Sequence, residues 1–215
     1  MTPDPLAGWP SAGGPASSDL LVDWTDPDPA RLADRLRAIG LAPSTAGTIE
    51  LDGGTVRLRR GPGLSRLTLV ESRCRVDEPR KPIDAPPGGA RGGGVARARL
   101  LGVGIATVDA ARFLAERPGL DVVEAPDDEI LGARAWIAAG GRSRLVVLEP
   151  STEGRLAASL ARVGEGPIAL YLESTAYAPG ARIATGPVGR CRLLPGGDVA
   201  GPHLLIVEPS GTITP

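Results

Sequence analysis

Short apolar runs punctuate the chain, and three of them are near copies. SRLTLVES spans Ser65–Ser72, SRLVVLEPSTEG spans Ser143–Gly154, and PHLLIVEPSGTI spans Pro202–Ile213. Each sets a polar residue before a Leu/Val-rich run that ends in Glu. Runs of this length and content, bounded by turn residues, read as strands. Upstream of the first copy, DLLVDW reads as a strand. TDPDPARLADRLRAIG reads as a helix with Leu32, Leu36 and Ile39 on one face. Asp26 or Asp28 can cap it, and Gly40 can stop it. TIELDGGTVRLRR alternates around Asp52-Gly53-Gly54, which predicts a hairpin. The first segment, residues 19–75, is therefore βαβββ.

The same order recurs. ARLLGVGIAT predicts a strand, and DAARFLAERPG a short helix capped by Asp109. LDVVEA and RAWIAA predict strands joined by a polar connection at Pro126–Glu129, and SRLVVLEPS closes the unit. STEGRLAASLARVGEG then predicts a helix with Ser151 as cap, Leu156, Leu160 and Val163 inward, and Gly164 as its end. A third unit begins at PIALYLES and ends with RCRLLPGG and PHLLIVEPS, its helix missing or reduced to TAYAPGAR. A repeated supersecondary unit is a stronger signal than any single motif here. Residues 1–18 read as a disordered tail of Pro, Gly, Ser and Ala. Residues 76–97 read as a Pro/Gly-rich linker. Residues 98–215 would hold the paired modules. The predicted class is α+β, with repeated βαβββ modules forming a cupped mixed sheet.

Composition narrows the chemistry. With 42% apolar residues but one Phe, two Tyr and three Trp, the core must be built from Leu, Val, Ile and Ala. A net charge of −1 gives no global field to attract nucleic acid. No apolar run is long enough to span a membrane. The N-terminus lacks a basic start and an apolar core, so no secretory leader is expected and a cytoplasmic location is the default. The two cysteines, Cys74 and Cys191, carry no motif. His203 is the single histidine, so a His-rich metal site within one chain is excluded.

LGVGIATVDAARF and LVVLEPSTEGRLAASLARVGEGPIAL resemble the opening strand and the module crossing of the vicinal oxygen chelate superfamily, the glyoxalase and bleomycin-resistance proteins. The resemblance covers Arg99–Ser174 best and reaches the terminus through HLLIVEP. It implies a cup of two modules around a divalent metal, with ligands on the opening and closing strands. Carried over by position, those ligands fall on Gly102, Val146, Ala169 and Leu205. None of these side chains can bind a hard cation. No metal and no cofactor are expected, and the site reads as a degenerate one.

Strand alternation extends the inward set to Gly104, Ala106, Arg144, Leu148, Tyr171, Glu173, His203 and Val207. The expected site is an apolar cup with Gly102, Gly104, Val146, Ala169 and Leu205 on its walls. Arg144 and Tyr171 would contact the ligand, and Glu173 and His203 are the catalytic candidates. Each polar residue has a bland alternative. Glu173 at a strand end can be solvated, and His203 can be bonded to backbone. Arg144 can be a strand-start residue, and Tyr171 a core residue with a satisfied hydroxyl. The glutamates Glu71, Glu149 and Glu208 fall on the opposite parity and should reach solvent or a helix N-terminus. There is no P-loop, no G-x-S-x-G, no CxxC and no HExxH. Three functions stay open: a metal-free small-molecule binder, a metal-independent isomerase or lyase using Glu173 or His203, and a structural or partner-binding remnant. The first unit could pack on the cup or pair with its mate in a homodimer.

Overall fold

A computed structural model of the chain describes residues 20–70, 98–138, 142–151, 153–174, 182–197 and 201–209. The expected tail 1–18 and linker 76–97 lie outside them, as do Glu71, Cys74 and nearly all of TAYAPGAR.

The first unit is β1 (Leu20–Asp26), α1 (Pro29–Ala38), β2 (Thr48–Leu51), β3 (Gly54–Arg60) and β4 (Arg66–Val70). Asp28 caps α1 by accepting from the Arg31 amide at 3.1 Å, and Pro29 opens the first turn. Leu32 and Leu36 bury one face of α1, and Gly40 leaves the helix at φ 79°. Its sheet runs β2-β3-β1-β4, with β1 parallel to β3 and antiparallel to β4.

The second sheet has eight strands and combines two units. The first of these is β5 (Arg99–Ala106), α2 (Ala110–Ala115), β6 (Val122–Asp128), β7 (Ala133–Ala138) and β8 (Arg144–Pro150). After α3 (Arg155–Val163) comes the other: β9 (Gly166–Glu173), β10 (Ala184–Gly186), β11 (Gly189–Leu193) and β12 (His203–Val207). The strand order is β10-β11-β12-β9-β5-β8-β7-β6. In both units the opening strand lies parallel to the closing one, β5 on β8 and β9 on β12. The register repeats as well: Gly104 sits opposite Val146, and Tyr171 sits opposite Leu205. The two units are thus structural copies, and they form a cupped mixed α+β sheet.

The first unit shares the element order but not the sheet order. Its closing strand β4 runs antiparallel to β1, where β8 and β12 run parallel to their opening strands. SRLTLVES therefore copies the later strands in wording only. A Leu/Val run fits any half-buried strand and does not specify its neighbour.

Other details depart from the sequence pattern. Gly154, not Ser151, precedes α3, and no side chain caps that helix. Pro126–Asp128 continues β6 instead of forming a connection, with an irregular register between Ala125 and Asp128. β10 is a three-residue strand that the pattern does not reveal.

The first unit packs against the outer face of the cup. Val22, Trp24, Leu32 and Leu36 share one apolar cluster with Val103, Ile105, Leu145, Val147, Leu170, Leu172, Leu204 and Ile206. Backbone bonds join the two sheets, with Leu100 N donating to Asp52 O at 2.8 Å. The buried Ser143 Oγ lies 2.7 Å from both Gly53 O and Leu100 O. Among the described residues, no helix is long and apolar enough to cross a membrane.

Candidate functional site

The inner face of the cup follows strand alternation. Ala106, Val146, Leu148, Ala169, Tyr171, Leu205 and Val207 form one cluster, distinct from the outer-face cluster. That cluster is closed. Val146, Ala169, Tyr171 and Leu205 are each 0% exposed. Leu131 and Leu156, also fully buried, reach in from the loop after β6 and from α3. The sheet curls until its edges meet: Glu129 N donates to Thr185 O at 3.1 Å, and Thr185 N donates to Glu129 Oε2 at 3.2 Å.

The small residues on β5 are therefore not free space. A Cβ on Gly104 would lie 2.8 Å from Leu148 Cδ1, 2.9 Å from Ala169 Cβ and 3.3 Å from Tyr171 Cε2. One on Gly102 would lie 2.9 Å from the Arg144 carbonyl oxygen. The glycines make room for the Tyr171 ring and the Leu148 side chain. This corrects the open apolar cup expected around Gly102, Gly104, Val146, Ala169, Tyr171 and Leu205. Side chains of the fold itself take the volume a ligand would need.

One carboxylate sits inside this core. Asp128 is fully buried and accepts from Tyr171 Oη at 2.7 Å, Leu131 N at 2.9 Å and Ile130 N at 3.0 Å. Burial raises its pKa, while those three hydrogen bonds oppose the rise. Burial, followed by the neighbouring Asp128 charge, puts Tyr171 well above the usual phenol. Burial also pushes the Cys191 thiol up to about 12, so it stays protonated and unreactive. Asp128 anchors the loop that carries Leu131 into the cup.

The catalytic candidates are not brought together. His203 pairs with Ala169 and Glu173 with Val207, four residues along the same strand pair. That separates them by about 13 Å at about 3.3 Å per residue. His203 is 2% exposed, with Nε2 3.1 Å from Ser159 Oγ on α3. Ser159 Oγ also lies 2.9 Å from Arg155 O, in donating geometry to that carbonyl one turn back on α3. Glu173 is half-buried at the end of β9. Arg144 is exposed at the start of β8, three strands from β12.

Open space lies elsewhere. A cleft of about 560 Å³ runs between α1, the start of α3, the β11–β12 turn and the beginning of β12. Arg35, Arg155, Arg182, Glu129 and His203 line it, with Leu194 and Ala184 among the apolar contributors. Arg35 crosses from the first unit: its Nε donates to Pro195 O at 3.0 Å and its Nη2 to Leu194 O at 3.4 Å. Gly196 and Gly197 let the guanidinium lie against the turn, since a Cβ at either would come within 3.2 or 3.3 Å of it. Burial and then the Arg31 charge lower the Arg35 pKa from its ordinary value.

No family model matches the chain, and no curated relative matches it. Solved structures do resemble it. Methylmalonyl-CoA epimerase from Mycobacterium tuberculosis is 22% identical over 53% of this chain and 89% of its own, with a TM-score of 0.42. The Streptomyces coelicolor methylmalonyl-CoA epimerase is 23% identical over 53% and 98%, with a TM-score of 0.41. Streptomyces coelicolor 4-hydroxymandelate synthase is 12% identical over 90% and 70%, with a TM-score of 0.38. Identity and TM-score are both low, so function has to be read from the side chains of this chain.

The divalent metal that the sequence resemblance implies does not fit these residues. Gly102, Val146, Ala169 and Leu205 offer no side-chain donor, and the last three are sealed in hydrocarbon. Among the described residues, no group of three His, Cys, Asp or Glu could hold a metal ion. The Asp128 carboxylate does meet the inner cluster, but its oxygens are taken by Tyr171 and two amides.

Of the site residues expected from sequence, only His203 lines the cleft. Arg35, Glu129, Arg155, Arg182 and the buried Asp128 were missed. Arg35 and Arg155 sit on helices and Arg182 in a loop, so strand parity could not select them. A signal existed for Asp128: an acidic residue three positions before the buried Leu131 in a stretch otherwise read as polar connection.

Two of the three outward glutamates, Glu149 and Glu208, are described, and both point away from the inner cluster. Glu149 Oε2 accepts from Ala110 N at 2.7 Å at the N-terminus of α2, and Oε1 pairs with Arg134. Glu208 pairs with Arg192 at 2.8 Å.

Proposed function

We propose that this chain is a metal-free small-molecule binding protein whose ligand site is the cleft between the first unit and the cup. The observation that carries this reading is the contrast between the two spaces. The cup is filled by Tyr171, Leu148, Leu131 and Leu156. The cleft offers about 560 Å³, within the range of small-molecule sites, and mixes apolar walls with a few charged groups. The first unit is then more than an appendage, because α1 supplies one wall.

The distance between Glu173 and His203, and the engagement of His203 with Ser159, argue against acid–base catalysis by that pair. A second reading, a structural or partner-binding domain, has one observation in its favour: the filled cup.

The test is a thermal-shift and native mass spectrometry screen of a metabolite panel, run with and without chelator. The variant Pro195→Trp places an indole at the cleft wall and leaves the Pro195 carbonyl in place for Arg35. A ligand that stabilises the wild type irrespective of chelator and loses its effect in Pro195→Trp supports the cleft. A blank panel favours the structural reading. Chelator-dependent binding would contradict the metal-free one.

A further inference from the structure

We infer that the ligand of this cleft is an anion, a small organic acid or phosphate ester, with Arg155 and Arg182 holding the charged end. The inference rests on the cleft being the ligand site and adds the chemical class of what enters it.

Three guanidinium groups line the cleft against one carboxylate, in a chain whose net charge is −1. The positive character is thus local. The groups differ in how far they are already committed. Arg35 is spent on two backbone carbonyls, and Glu129 gives Oε2 to the Thr185 amide. Arg155 and Arg182 make no ion pair among the described residues. Some guanidinium groups elsewhere are matched, Arg57 with Asp23, Arg112 with Glu165 and Arg192 with Glu208, while exposed ones such as Arg66 and Arg144 are not, among the described residues; what sets Arg155 and Arg182 apart is that they share a cleft.

Arg155 is half-buried at the cleft and Arg182 is exposed at its edge. The half-buried Arg35 already feels a like charge from Arg31. An anion entering the cleft would relieve that repulsion. Guanidinium forks match carboxylate and phosphate oxygens through paired hydrogen bonds. The apolar contributors Leu194 and Ala184 suit a hydrocarbon body attached to the charged head. His203 adds a polar edge whose ring is already fixed by Ser159.

The experiment titrates wild-type protein with three probes: succinate, inorganic phosphate, and succinamide as the neutral isostere of succinate. Binding is read by calorimetry and by amide chemical shifts. Succinate or phosphate should bind saturably, at least tenfold tighter than succinamide, and should weaken severalfold as NaCl rises. Which of the two anions binds tighter separates a carboxylate ligand from a phosphate one. The double variant Arg155→Gln/Arg182→Gln should lose at least tenfold in anion affinity. Its unchanged melting temperature would exclude unfolding as the cause. The single variant Arg155→Gln, with an intermediate loss, serves if the double variant is unstable.

Equal affinity for succinate and succinamide would overturn the inference, as would unaltered anion binding in the variants. If neutral compounds from the metabolite panel occupy the cleft while both anions fail, the inference falls and the cleft reading stands. If neither anions nor any panel compound binds, both fall.

Discussion

The variant Gly104→Ala separates a filled cup from an open one by the sign of its effect. In the structure the new Cβ would lie 2.8 Å from Leu148 Cδ1, 2.9 Å from Ala169 Cβ and 3.3 Å from Tyr171 Cε2. Leu148 could swing its methyl, but it is 0% exposed and packed in one cluster with Leu131, Leu156 and Tyr171. Ala169 Cβ is fixed to the adjacent strand and cannot rotate away. Overpacking of this kind costs about 1–3 kcal/mol. At about 2–4 °C per kcal/mol for a protein of this size, Tm should fall by about 2–12 °C. An open cup makes the opposite prediction. Glycine in a strand interior is worse than alanine by about 0.5–1 kcal/mol, so filling empty space there would raise Tm. Gly119→Ala is the control, because a Cβ at Gly119 meets nothing within 4 Å. Differential scanning calorimetry of the three proteins decides between the two. A Gly104→Ala protein as stable as the wild type, or more so, would refute the packing argument.

Further outcomes concern the buried and paired carboxylates. Tyr171→Phe leaves one Asp128 oxygen without its hydroxyl donor and should cost about 1–3 kcal/mol in urea unfolding. Asp128 has a folded pKa above its ordinary 3.8, so the native state binds its proton more tightly than the unfolded chain does. Its contribution to stability is full below 3.8 and is lost as pH rises through the folded value. The stability of Asp128→Asn relative to wild type should therefore climb with pH across that window; a flat difference would remove the buried-charge account. Glu165 gives the opposite sign. Burial would raise it, but hydrogen bonds from Arg112, Thr107 and the Val108 amide, together with the Arg112 charge, hold it at about 2. Its contribution is present above 4.5 and fades as pH falls toward about 2, so the deficit of Glu165→Gln should close over that acid range.

Strand positions and facing were legible in the sequence, because alternation is a local property. Val146 and Leu205 occupy matching register positions in the two halves, as the repeated phrase implied. Glu149 turns away from the cup to the α2 N-terminus on the same parity. Occupancy of the cup was not legible. Gly102, Gly104 and Ala106 read as space, but whether space survives depends on Leu131 from a loop, Leu156 from α3 and the Tyr171 ring. Those contacts join segments far apart in the chain, and no window of residues encodes them. Asp128 was missed for a related reason. An acidic residue in a polar stretch looks solvated until the Tyr171 hydroxyl and the Leu131 and Ile130 amides converge on it. The cleft was hidden because its walls come from units that the linker sequence separates.

The most direct test of a filled cup beside an anion-binding cleft maps amide chemical shifts during two titrations of the wild-type protein, one with succinate and one with benzene. Benzene enters dry apolar cavities where they exist. Succinate should perturb amides around Arg155, Leu194 and His203, and benzene should leave Gly104, Ala169 and Tyr171 unmoved. Saturable benzene shifts at those three residues would show an open cup and contradict the filled-cup assignment, and succinate shifts centred on them would contradict both assignments.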